Sequence, residues 1–244
     1  MRPVTRGNSP QVGDFADYQN ARHFLISHIG PFCSYCERRT TPLHVEHIQP
    51  KGLPQYAGLI GRWDNFLLAC VNCNSTKRDK DVQLALYYLP DRDNTFAAFT
   101  YQADGTVASQ AADPIGKRTL ELTGLDKPIR ETFDENGILV ASDRVGDRMT
   151  AWGIALESKT DLASRPDDAM RRQIVRTAMC EGFFSLWMKV FEGDLVMRQM
   201  LIDGFGVGAD YRGFAGTAKD CFDAATTAPI STRPGNGLPH CSKI

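Results

Sequence analysis

CSYCERRTTPLHVEHIQPKGLPQYAGLIGRWDNFLLACVNCNSTK, residues 33–77, is the stretch that decides the fold. Two Cys-x-x-Cys pairs, Cys33/Cys36 and Cys70/Cys73, bracket it. One such pair makes a tight turn that offers two thiolates to one ion, and two pairs complete a tetrahedral zinc site. The 33 residues between Cys36 and Cys70 exceed the roughly 15–20 of a simple four-cysteine ribbon. The surplus leaves room for a hairpin and a loop that carry His44-Val45-Glu46-His47 and Trp63-Asp64-Asn65.

Leu43 to Ile48, with its β-branched residues, reads as a strand that Pro50 ends. On a regular strand His44 and Glu46 share one face and His47 takes the other. Glu46 and His47 therefore reach one cleft only if the strand ends or bulges at His47. Lys51 to Arg62, with three glycines and Pro54, reads as a loop whose cations are solvated or near phosphate. Trp63 to Ala69 reads as a second strand. A helix is expected from Asn74 onward, with Lys77, Arg78 and Lys80 in its first turns. A helix N-terminus beside a metal suits an anionic phosphodiester.

The remainder divides by composition and period. Residues 1–14 read as an extended polar arm. Asp14 to Ile29 has apolar residues at spacings of three and four, one helical face, stopped by Gly30-Pro31. His23 and His28 in it read as packing or surface residues. Asp91 to Gly105 reads as a loop and hairpin turning at Gln102-Ala103-Asp104-Gly105. Pro114 to Leu125 is a short helix ended by Gly124. Asp143–Leu162 and Asp167–Phe191 read as long helices, the second with a wide apolar face, and Asp194–Ile202 as a shorter one. From Ala224 the composition is that of a frayed end. The expected units are an arm and helix (1–30), the zinc-knuckle module (31–90), a connecting hairpin and helix (91–141), and a helical C-terminal region (142–244) that supports rather than catalyses.

The chain has 244 residues and a net charge of −1, which argues against a general basic coat for nucleic acid. Any such contact is left to a local patch or a partner. Seven cysteines, an odd number, fit metal ligation in a reducing compartment better than a disulfide frame. Cys180, Cys221 and Cys241 read as plain thiols. No apolar run suits a signal peptide or a membrane helix, and the expected location is cytoplasmic.

The 33–77 stretch resembles the four-cysteine branch of the HNH endonucleases. Glu46-His47 matches the family's acidic residue and general-base histidine, although Asp is commoner at the first of these. Asn65 matches the middle asparagine, and Asn74, after Cys73, the third position. Lys77 matches a frequent lysine one turn on. The resemblance implies an α+β chain built on a ββα-metal core with a structural zinc, plus the helical C-terminal region. It implies phosphodiester hydrolysis in which His47 activates water. Glu46 and Asn74 would hold a catalytic Mg²⁺ or Mn²⁺, and Asn65 would orient His47 through the backbone. His44 is a candidate neighbour or additional ligand, and Lys77 a candidate phosphate contact. More loosely, Glu46–Lys51, Arg118–Leu125 and Gly216–Asp223 are similar to bacterial HNH proteins found with retrons and Septu-type anti-phage systems. That likeness implies a nucleic-acid substrate, DNA first, and an ATPase or reverse-transcriptase partner. The competing reading is a non-catalytic zinc-ribbon binding module, which accounts for the cysteines but not for Glu46, His47, Asn65 and Asn74 together.

Overall fold

The computed structural model describes residues 1–109, 112–127, 144–204 and 213–230, and the backbone of 132–133 and 139–141. The fold is α+β. A 3₁₀ turn, Tyr18–Ala21, leads into α1 (Arg22–Ile29). The helix begins later than the apolar period suggests because the Asp17 side chain caps the tighter turn by accepting from Gln19 N. Gly30, at φ 78°, stops it, in a conformation that glycine reaches without strain.

β1 (His44–His47) pairs antiparallel with β2 (Phe66–Ala69), with His44 opposite Ala69 and His47 opposite Phe66. Every residue of β2 is buried. The second strand starts at Phe66 rather than Trp63 because Trp63–Asn65 forms a 3₁₀ turn. The 51–62 segment is not all loop either: Pro54–Leu59 is a 3₁₀ helix with proline in its first turn, where its missing N–H costs nothing.

α2 (Val71–Lys77) starts three residues before Asn74 and ends far sooner than expected. Its first turn is the second cysteine knuckle. The Cys70 sulfur accepts from Cys73 N at 3.5 Å, as a capping side chain does. Arg78, at φ 48°, turns the chain out of the helix. Beyond it only a 3₁₀ turn, Leu84–Leu86, remains of the predicted continuation.

Downstream come α3 (Thr95–Ala98), the hairpin β3 (Phe99–Tyr101) and β4 (Val107–Ser109), and α4 (Pro114–Thr123), capped by Asp113 and ended by left-handed Gly124. A backbone pair, β5 (Thr132–Phe133) and β6 (Leu139–Ala141), follows. The C-terminal region is α5 (Arg144–Ser164), α6 (Asp168–Glu181), α7 (Phe184–Val190) and α8 (Leu195–Asp203). The single helix expected over 167–191 breaks at Gly182 (φ 81°) and Phe183 (φ 58°). There the chain lies against the first zinc knuckle. A Cβ on Gly182 would sit 2.6 Å from the Glu37 carbonyl oxygen. An apolar face read from sequence does not report such a backbone contact.

The N-terminal residues are no free arm. Met1, Arg2 and Val4 are buried. The Arg2 guanidinium donates to the carbonyls of Ile29, Phe214 and Ala215, joining the end of α1 to the turn after α8. Residues 7–14 are all exposed. Two apolar clusters form the core, one around α1, β1, β2 and α2, the other among α5–α8 with Phe32, Phe214 and Phe222. Residues 223–230 form a turn in which Asp223 accepts from the Ala225 and Thr226 amides. The rest of the predicted frayed end, 231–244 with Cys241, lies outside the described residues. Among the described residues no helix is long and apolar enough to cross a membrane.

Candidate active site and metal centre

The first knuckle closes through Glu37 N to Cys33 O (2.9 Å) and Cys33 N to Arg38 O (3.0 Å), with Glu37 at φ 65°. The second is the β2–α2 junction. Together they place the sulfurs of Cys33, Cys36, Cys70 and Cys73 within 4.8 Å of one another, all buried. Cys36 and Cys70 are 3.7 Å apart. A tetrahedron with zinc–sulfur bonds of about 2.3 Å has edges of roughly 3.8 Å. Burial pushes the Cys33 thiol up, contacts with the other three sulfurs push Cys73 up, and the same kind of contacts pull Cys70 down. Four buried sulfurs this close could hold one metal ion, and an all-sulfur tetrahedron fits zinc. Arg144, at the start of α5, donates to Cys73 Sγ at 3.1 Å and to the Thr123 and Gly124 carbonyls. It brings a positive charge to a cluster that would stay negative with zinc bound.

Glu37 carries the knuckle into the rest of the molecule. Its buried carboxylate accepts from Ser185 N (2.7 Å), Ser185 Oγ (2.6 Å) and Tyr101 OH (3.2 Å), and pairs with the Met1 amino group at 3.1 Å.

Beside the knuckles lies a cleft of about 210 Å³. β1 supplies His44, Glu46 and His47. α2 and its exit supply Asn74, Lys77, Arg78 and Asp79, and Tyr18, Gln19, Pro50 and Lys51 complete the wall. β1 ends at His47, as a shared cleft requires. The His47 ring packs edge-on against Tyr18 and Phe66. Its Nε2 lies 2.9 Å from the Ile60 carbonyl oxygen. A carbonyl only accepts, so Nε2 carries the hydrogen and Nδ1 is left with a lone pair. Burial lowers the His47 pKa below the usual imidazole value, opposed by the Ile60 hydrogen bond and assisted by Lys51 and Lys77. The neutral form therefore dominates at pH 7.

Asn65 is 4 % exposed and lies behind the cleft. Its Oδ1 accepts from Gln49 N at 2.8 Å, and its Nδ2 donates to Gln49 O (3.0 Å) and Leu59 O (3.3 Å). It thus stitches the segment after β1 to the loop whose next carbonyl, Ile60, holds His47. Asn65→Ala strands a buried amide, and is expected to destabilise the protein by about 1–3 kcal/mol, read as a lower melting temperature with zinc content unchanged.

The phosphate contact expected of Lys77 gives way to another arrangement. Lys77 is 1 % exposed. Its ammonium lies 2.7 Å from Glu46 Oε1 and donates to His47 O at 2.7 Å. A buried carboxylate within reach of the stem draws the charge inward. Burial raises the Glu46 pKa against the opposing pull of Lys77. His44, half-buried, and Asn74 both line the same cleft.

Two cleft residues escaped attention as a pair. Lys51 Nζ donates to Tyr18 OH at 2.5 Å and lies 4.3 Å from the centre of its ring. Lys51 reads from sequence only as one of two loop cations. Tyr18 belonged to an apolar helical face far upstream, and nothing local connected it to His47.

No curated protein matches the chain. Residues 33–80 match the family model described as HNH endonuclease, so the β1–β2–α2 unit and its four-cysteine cluster constitute an HNH domain.

Proposed function

We propose that the protein is a metal-dependent endonuclease that hydrolyses phosphodiester bonds, with DNA as the favoured substrate. The observation that carries this reading is the state of His47. One ring nitrogen is committed to the Ile60 carbonyl and the other is free to take a proton, beside a carboxylate and an amide. In this reading His47 Nδ1 accepts the proton of the attacking water, which a positioned base accelerates by about 10²–10⁴-fold. Glu46 and the Asn74 amide oxygen are hard ligands suited to Mg²⁺ or Mn²⁺. The ion supplies charge neutralisation of the phosphate and of the leaving oxygen. Asn65 keeps the Ile60 loop in register with His47, and Lys51, exposed at the cleft mouth, meets the phosphate backbone.

Asn74→Ala is expected to weaken divalent-ion binding, so that cleavage falls and excess Mn²⁺ restores part of it. His44→Ala is expected to be milder than His47→Ala. Titrating Mn²⁺ against initial cleavage rate distinguishes the two, since only the Asn74 variant shifts its midpoint.

The surrounding reading is that of a cytoplasmic nuclease effector of an anti-phage system working with an ATPase or reverse transcriptase, its helical C-terminal region serving as support. The near-neutral net charge favours a partner that supplies basic surface. Zinc-loaded protein incubated with supercoiled plasmid and Mg²⁺ or Mn²⁺, alone and with the products of neighbouring genes, tests the reading. A plasmid left intact in every combination would favour the zinc-ribbon binding module instead.

A further inference from the structure

Lys77 is among the most completely buried side chains of the protein, an uncommon place for a lysine. Its stem crosses from α2 to β1 and its ammonium is held at two points, Glu46 Oε1 (2.7 Å) and the His47 carbonyl (2.7 Å). The Tyr35 hydroxyl approaches the same carboxylate oxygen, Oε1, at 3.5 Å. Both contacts fall on Oε1 and neither on Oε2. An exposed lysine–glutamate pair would be loose and exchangeable. This one is rigid, because releasing either charge leaves the other buried and unpaired.

Ions differ in what they ask of a carboxylate. Ca²⁺ takes six to eight oxygens and often both from one carboxylate, whereas Mg²⁺ holds a tight octahedron and takes one. Asp79, the other carboxylate of the cleft, is packed against Gly52, where an added Cβ would lie 2.6 Å from its Oδ1. We propose that Lys77 determines which divalent ion the cleft accepts: by occupying Oε1 it leaves Glu46 a single ligating oxygen, which admits Mg²⁺ or Mn²⁺ and disfavours Ca²⁺. The proposal rests on the reading of Glu46 as a ligand in a nuclease cleft. It assigns to Lys77 a positioning role, fixing both the carboxylate and the backbone of the general base.

The test is a binding measurement without nucleic acid. Mn²⁺ bound to zinc-replete protein is followed by electron paramagnetic resonance, with Mg²⁺ and Ca²⁺ as competitors. In the wild type, Ca²⁺ is expected to compete at least tenfold more weakly than Mg²⁺. In Lys77→Met, and less strongly in Lys77→Gln, the Ca²⁺ to Mg²⁺ ratio is expected to shift at least tenfold toward Ca²⁺. A wild type that takes Ca²⁺ as readily as Mg²⁺ overturns the proposal, as does an unmoved ratio in a folded, zinc-replete variant. If neither variant folds, the wild-type ratio decides alone. An unmoved ratio alongside cleavage that depends on His47 sinks only this inference. A wild type that binds no Mn²⁺ sinks the nuclease reading with it.

Discussion

His47→Ala is expected to abolish metal-dependent cleavage while leaving the protein folded and its zinc content that of the wild type. The His47 ring lies outside the four-sulfur cluster and hydrogen-bonds a loop carbonyl. Its loss removes about 10²–10⁴-fold in rate, enough to erase product in an ordinary plasmid gel. The assay includes whatever partner the wild type needs. Cleavage at the wild-type rate by a folded, zinc-replete His47→Ala protein would eliminate the HNH mechanism.

Replacing any one of Cys33, Cys36, Cys70 or Cys73 by serine is expected to do more, unfolding the 33–80 segment. Structural zinc contributes roughly 10–16 kcal/mol in finger-sized peptides, comparable to the whole stability of a domain, about 5–15 kcal/mol. Here the cluster joins the two chain segments that flank the hairpin. Metal analysis should give one zinc per wild-type chain and none in the variants. Circular dichroism and limited proteolysis should report the lost fold. Exposed Cys180 replaced by serine should keep its zinc. A zinc-free, folded, cleaving Cys36→Ser protein would show that the cluster is dispensable.

What the sequence made legible follows from how local each signal is. The two Cys-x-x-Cys turns, the helix end at Gly124 and the helix starts at Asp167 and Asp194 are settled by residues within a few positions of one another, and they lie where pattern reading puts them. The length of α2 was misjudged because its start is decided by a sulfur cap and its end by a left-handed Arg78. The break at Gly182 was invisible because its cause is Glu37, far away in sequence. For the same reason Lys77 looked like a surface cation: only the paired hairpin brings Glu46 under it. Tyr18 and Lys51 meet only in three dimensions.

The Glu37 carboxylate, seated on Ser185 at the head of α7, makes the knuckle and the helical half one thermodynamic unit. Coupling of this kind is reciprocal. A partner chain that binds the helices more tightly when Glu37 is docked must, by the same factor, tighten the grip of the knuckle on its ion. A chelator that strips the ion must loosen the partner equally. Among its described residues the helical region lines no part of the cleft, yet through Glu37 it is a handle by which a bound partner would steady the four-cysteine centre.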